Sequence, residues 1–146
     1  MRPIALLIYS VCCVALSAQT AAQPPAANPA FQAMVKDAKT RIQEIDISKF
    51  KALEASGESF TLIDVREDNE WAEGHAQGSV HMGKGVIDRD IESRVPRKDA
   101  KLVLYCGGGS RSALAADTLA KMGYSNVLSL AGGFTAYKSA ALPVEK

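Results

Sequence analysis

One stretch of this chain is equipped for chemistry: Cys106-Gly107-Gly108-Gly109-Ser110-Arg111-Ser112. A cysteine thiolate is a strong nucleophile, and it forms more readily where positive charge or backbone N–H groups surround the sulfur. The glycines permit backbone angles that turn successive amides inward, and they leave no side chains in front of the sulfur. Arg111 adds a permanent cation with a rigid fork of donors. Ser110 and Ser112 read as donors to the loop or as helix caps rather than as nucleophiles. The segment therefore reads as an anion cradle around a nucleophilic sulfur. The plain alternative is a flexible strand-to-helix connection with a buried thiol. It is no phosphate-binding P-loop, since no Gly-Lys-[Ser/Thr] closes it. Gly83-Lys84-Gly85 is an ordinary loop. His75 and His81 lack the spacing of a metal site and read as structural, so no metal is expected.

The elements around the loop must place it. Lys101–Cys106 is a compact apolar run suited to a buried strand, and Ser112–Met122 is a strong helix closed by Gly123. Cys106 then stands at a strand's carboxyl end and just before a helix N-terminus. There the first-turn amides lack partners and the helix dipole favours an anion. Further strands are expected at Ile45–Ile47, Phe60–Val65, Ser79–Met82 and Asn126–Leu130. Helices are expected from a Ser48 cap to Ala55, at Asp68–Ala72, at Asp88–Val95 before Pro96, and at Phe134–Ser139. Strands alternating with helices of this length imply an α/β fold, a parallel sheet with helices on both faces.

At 146 residues the chain accommodates one domain. Residues 1–22 have the layout of a cleavable signal peptide: a basic start at Arg2, an uncharged apolar run from Pro3 to Leu16, then small residues. Export to the periplasm or the exterior with cleavage is the expectation. A retained membrane anchor is the rival reading, disfavoured because the run is shorter than the ~20 residues of a bilayer span; after cleavage no stable membrane insertion is expected. Cleavage would remove Cys12 and Cys13 and leave Cys106 without an internal disulfide partner. It would also remove Arg2 from seventeen basic side chains, leaving sixteen against sixteen acids. A neutral domain has no bulk field to draw nucleic acid. Residues 23–44 read as a Pro/Ala linker and an N-terminal helix, capped by Asn28 with Pro29 at its first position and striped by Phe31, Val35, Ala38 and Ile42. Residues 45–146 form the main domain.

In these motifs the chain resembles the single-domain rhodaneses, the rhodanese-like sulfurtransferases. Cys106, Gly109, Arg111 and Ser112 match the family's Cys-x-x-Gly-x-Arg-Ser loop. Asp64, Val65, Arg66, Glu67, Glu70, Gly74, His75 and Gly78 match its upstream signature. Gly123, Tyr124, Val127, Gly132, Gly133 and Phe134 match its closing segment. The resemblance covers roughly residues 45 to 144. It implies a five-stranded parallel sheet flanked by helices on both faces, with Cys106 taking a sulfane sulfur from a donor as a persulfide and passing it on. The donor would be thiosulfate, a persulfide, a polysulfide or a protein, and the acceptor a thiol or a cyanide-like thiophile. Gly107, Gly108, Gly109, Ser110, Arg111 and Ser112 would hold the persulfide and the donor. Asp64 and Arg66 would support the loop from beneath, and no cofactor is implied. Tyr137 stands where the family often has Trp, and Gln77 where Pro is frequent. Gly107 and Gly108 add no cation beside Arg111, so a doubly charged donor would meet only one side-chain charge. Two other readings are a non-catalytic module on the same scaffold and a phosphatase or arsenate reductase of related fold. Those enzymes use Cys-x5-Arg, whereas four residues separate Cys106 from Arg111.

Overall fold

A computed structural model describes residues 28–146. The signal-peptide reading of residues 1–22, and most of the linker reading, fall outside the described residues. Asn28 opens α1 (Pro29–Lys39) as its capping pattern predicts, its side-chain oxygen accepting the Phe31 N–H at 3.0 Å with Pro29 in the first turn. Val35 and Ala38 are buried, and Arg41, just past the helix, donates to Asp117 at 2.9 Å.

Next come β1 (Gln43–Ile45) and α2 (Ile47–Ala55). Both begin earlier than the sequence suggested. Asp46, not Ser48, caps α2 by accepting the Lys49 N–H at 2.8 Å, so the strand expected at 45–47 must end at Ile45. The remaining elements are β2 (Thr61–Asp64), α3 (Asp68–Glu73), β3 (His75–Ala76), β4 (Val80–His81), α4 (Ile87–Arg94), β5 (Leu102–Tyr105), α5 (Ser110–Lys121), β6 (Val127–Leu130), α6 (Gly133–Ser139) and β7 (Val144–Glu145). Gly123 closes α5 at φ +93°, the left-handed conformation foreseen for it.

The five-stranded sheet has the order β1-β6-β5-β2-β4, and every pairing in it is parallel. Side-chain alternation along the strands divides the core into two halves. On one face Ile63, Val65, Leu102, Leu104 and Cys106 pack with Ile87 and Ile91 of α4 and Ala115, Ala116 and Leu119 of α5. On the other, Leu62, Val103, Tyr105, Leu128 and Leu130 pack with Phe50 of α2 and Phe134 and Tyr137 of α6. Each fully buried aliphatic side chain contributes roughly 1.5–3 kcal/mol by leaving water. Tyr137 is 1% exposed and its hydroxyl donates to the Pro143 carbonyl at 2.9 Å, so its buried polar tip is satisfied. A small antiparallel pair, β3 with β7, lies apart from the main sheet and was not foreseen. Among the described residues no helix is long and apolar enough to cross a membrane.

Candidate active site

β5 is the middle strand, and Cys106 follows its last residue at the carboxyl end of the sheet. This is where open α/β sheets bind ligands. α5 starts at Ser110, two residues earlier than expected, because Gly109 makes the turn at φ +98°. A side chain at Gly109 would also meet the Gly132 amide nitrogen at 3.1 Å, so both shape and space require glycine. From this turn the Gly109 N–H donates to the Cys106 sulfur at 3.1 Å. Among the described residues the amides of Gly107, Gly108, Ser110, Arg111 and Ser112 donate to no protein acceptor. They are the open donors that the cradle reading requires.

A short chain of buried hydroxyls reaches the sulfur from the helix side. The Ser112 hydroxyl lies 3.7 Å from Cys106 Sγ and 3.2 Å from the Gly109 carbonyl, and Ser129 donates to it at 3.0 Å. Ser112 and Ser129 are both fully buried. Ser129 was not singled out from sequence. A signal was there: Leu128 and Leu130 face the α6 side, so the serine between them must face Cys106.

The loop's carbonyls are held by α6. The Cys106 carbonyl accepts the Phe134 N–H at 2.6 Å, and the Gly107 carbonyl accepts both the amide and the hydroxyl of Thr135 at 3.1 and 3.0 Å. Tying two carbonyls to α6 leaves the amide side of the loop uncommitted. The expected open approach to the sulfur is narrow: Cys106 is 1% exposed, and Gly108 is the exposed part of the loop above it.

Arg111 has a partner within its own chain. Its guanidinium is gripped by Glu70 of α3 through two bonds of 2.6 and 2.8 Å, and Glu67 lies 3.6 Å from the same group. The fork that the sequence offered to an anionic donor is thus occupied by a carboxylate. Glu70 also accepts the Glu67 N–H at 3.2 Å. Hydrogen bonding to Arg111 holds the Glu70 carboxyl down at about 2, and the Arg111 guanidinium is pushed up in turn, first by its hydrogen bond to Glu70. Glu70 stood in the recognised signature, yet nothing local tied it to a residue 41 positions away.

Asp64 and Arg66 lie beneath the loop. Asp64 accepts three side-chain bonds from Arg66 at 2.6–3.0 Å, and Arg66 also donates to the Gly74 carbonyl at 2.8 Å. Both are buried. The guanidinium lies 4.1 Å from the centre of the Phe134 ring, whose own backbone holds the Cys106 carbonyl. The two histidines flank Trp71, His75 stacked at 3.4 Å and His81 at 4.9 Å between ring centres. His81 Nε2 also stands 3.0 Å from the Arg66 carbonyl oxygen, so both rings brace this corner. Among the described residues no group of three or more His, Cys, Asp or Glu side chains is placed to hold a metal ion. A cleft of about 330 Å3 lined by Glu58, Thr61, Arg97, Lys101 and Asn126 opens at the amino ends of the strands, the far end of the sheet from the sulfur.

This architecture has known relatives. The family model of the rhodanese-like domain matches residues 46–140. A sulfurtransferase of Allochromatium vinosum is 33% identical over 103 residues, covering 70% of this chain and 94% of that protein. A longer Bacillus subtilis relative is 32% identical over 92 residues, 63% of this chain, and the chain spans 49% of its length. Among solved structures, a Rhodopseudomonas palustris protein of unknown function, described as a possible tyrosine phosphatase, superimposes with a TM-score of 0.71 at 34% identity, over 79% of this chain and 93% of its own. With its cysteine loop at the tip of the middle strand of a five-stranded parallel sheet, and with the family match running from the cap of α2 to the end of α6, the chain belongs to the rhodanese-like domain family.

Proposed function

We propose that this chain is a sulfurtransferase that carries sulfane sulfur as a persulfide on Cys106. The observation that carries this reading is the 3.1 Å contact from the Gly109 N–H to Cys106 Sγ inside a loop whose other amides are uncommitted. Backbone donors fixed around one sulfur stabilise negative charge without reorganising during the reaction. The Cys106 thiolate attacks the outer sulfur of the donor, a new S–S bond forms, and the donor's own S–S bond breaks. The electron pair of that bond leaves on sulfite, or on a thiolate when the donor is a persulfide. The outer sulfur of the Cys106 persulfide then passes to a thiol, giving a new persulfide, or to cyanide, giving thiocyanate. Cys106 returns as the thiolate, so the cycle needs no external oxidant or reductant. Gly107 to Ser112 surround the transferred sulfur, and the Asp64–Arg66 pair fixes the floor of the loop through Phe134.

The decisive experiment is mass spectrometry of the protein after exposure to thiosulfate or an alkyl persulfide. One added sulfur, located on Cys106 and lost on addition of cyanide, is the expected result. Absence of that adduct with every donor would overturn the reading. The description of the Rhodopseudomonas palustris structure motivates a second one, phosphoester hydrolysis. The short spacing of Cys106 and Arg111 and the engagement of Arg111 by Glu70 weigh against it. Aryl-phosphate hydrolysis faster than sulfur transfer would reverse that order.

A further inference from the structure

We infer that Glu70 is a specificity-determining residue that cancels the charge of Arg111, so that the site takes sulfur from singly charged persulfide donors in preference to dianionic thiosulfate. The inference rests on the reading of Cys106 as a sulfur carrier and deepens it. The Glu70–Arg111 pair lies against the loop itself: a Cβ placed on Gly107 would come 3.4 Å from Arg111 Nη2 and 3.7 Å from Glu70 Oε1. Glu67 adds a second carboxylate to the same guanidinium at 3.6 Å. One cation therefore faces two anions beside the sulfur, and the neighbouring Asp68 carboxylate is fully exposed. The other arginine of this corner, Arg66, is matched by Asp64 below the loop. Repulsion from these two carboxylates scales with the charge of the incoming donor. Thiosulfate carries two charges, whereas an alkyl persulfide carries at most one, on the sulfur that the loop amides are placed to meet.

The test compares loading of Cys106 by thiosulfate and by 2-hydroxyethyl persulfide in single-turnover experiments on the wild-type chain, Glu70→Gln and Glu67→Gln. Glutamine keeps an acceptor for Arg111 while removing the charge. At low ionic strength the ratio of thiosulfate to persulfide loading rates should rise about tenfold in Glu70→Gln and by less in Glu67→Gln. Added salt should speed thiosulfate loading of the wild type by screening the repulsion, and it should narrow the gap between the proteins. A merely structural role for Glu70 would slow both donors alike and leave this salt dependence unmoved. An unchanged or lowered ratio in the two variants overturns the inference. Should Glu70→Gln fail to fold, Glu67→Gln and the wild-type salt dependence decide, and slowing of wild-type thiosulfate loading by salt overturns it. Loading from persulfide with an unmoved ratio would leave the carrier role standing and remove only the selectivity. Failure of both donors to load the wild type would remove the carrier role, and the selectivity with it.

Discussion

Gly133 stands so close to the Cys106 carbonyl that a Cβ added to it would overlap the oxygen. Its φ of +53° is also a conformation that side-chain-bearing residues resist. The two effects act on the same contact, because the Cys106 carbonyl accepts the amide of Phe134, the next residue. Gly133→Ala should therefore push α6 away from the loop and destabilise the protein by roughly 2–4 kcal/mol in urea titrations. Gly108→Ala, with nothing within 4 Å of its added carbon and no positive φ, should stay within about 0.5 kcal/mol of wild type. Equal stability of the two variants would show that α6 does not set the shape of the loop.

Cys106→Ser should reduce sulfur transfer to background while the fold persists. Serine nearly matches the shape of cysteine and can still accept the Gly109 N–H, but its hydroxyl neither ionises at neutral pH nor forms a persulfide. Circular dichroism and a urea midpoint should overlay those of the wild type. Transfer by this variant at a rate comparable to the wild type would move the chemistry to another residue.

Arg66→Met should be among the most damaging substitutions. It leaves the Asp64 carboxylate, itself 0% exposed, without its three guanidinium bonds, and breaking such a buried pair on one side costs about 3–5 kcal/mol. The double variant Asp64→Leu with Arg66→Met removes the stranded charge, so it should recover part of the loss. A double-mutant cycle by chemical denaturation measures this. Purely additive losses would mean that the pair is not coupled in the way its geometry indicates.

The parts of this molecule that the sequence made legible are those whose cause is local. Apolar runs announced β2 and β5, and Asn28-Pro29 announced α1, because capping and side-chain alternation act within a few residues. Cys106 was legible as the candidate nucleophile because its glycines and Arg111 follow it directly. The start of α2 was misplaced because Asp46 and Ser48 are both competent caps, and only the paired register of β1 with β6 selects the first. The two-residue strands β3 and β7 are too short to show alternation. Glu70 with Arg111, and Ser129 with Ser112, are contacts between elements, and the packing of α3 and β6 beside the loop creates them. For Arg111 the structure adds a partner that its neighbours in sequence could not show, the Glu70 carboxylate of its own chain.

That carboxylate also sets an acid limit on stability. Glu70 is held at about 2 by its hydrogen bonds to Arg111, against 4.5 for an ordinary glutamate. Asp117 is likewise held at about 2, by Arg41 and then Lys121, against 3.8. Both folded-state values lie below the unfolded ones, so the unfolded chain takes up protons first as pH falls. The stabilisation from each group is complete above about pH 5 and is lost as pH drops through 4 towards 2. Both ion pairs are partly exposed to solvent, which screens them and keeps each contribution small. Urea titrations from pH 7 to pH 2.5 should show this fall in the wild type and a shallower one in Glu70→Gln, which has no carboxyl to protonate there. Parallel pH profiles for the two proteins would mean that the Glu70–Arg111 pair contributes nothing to folding.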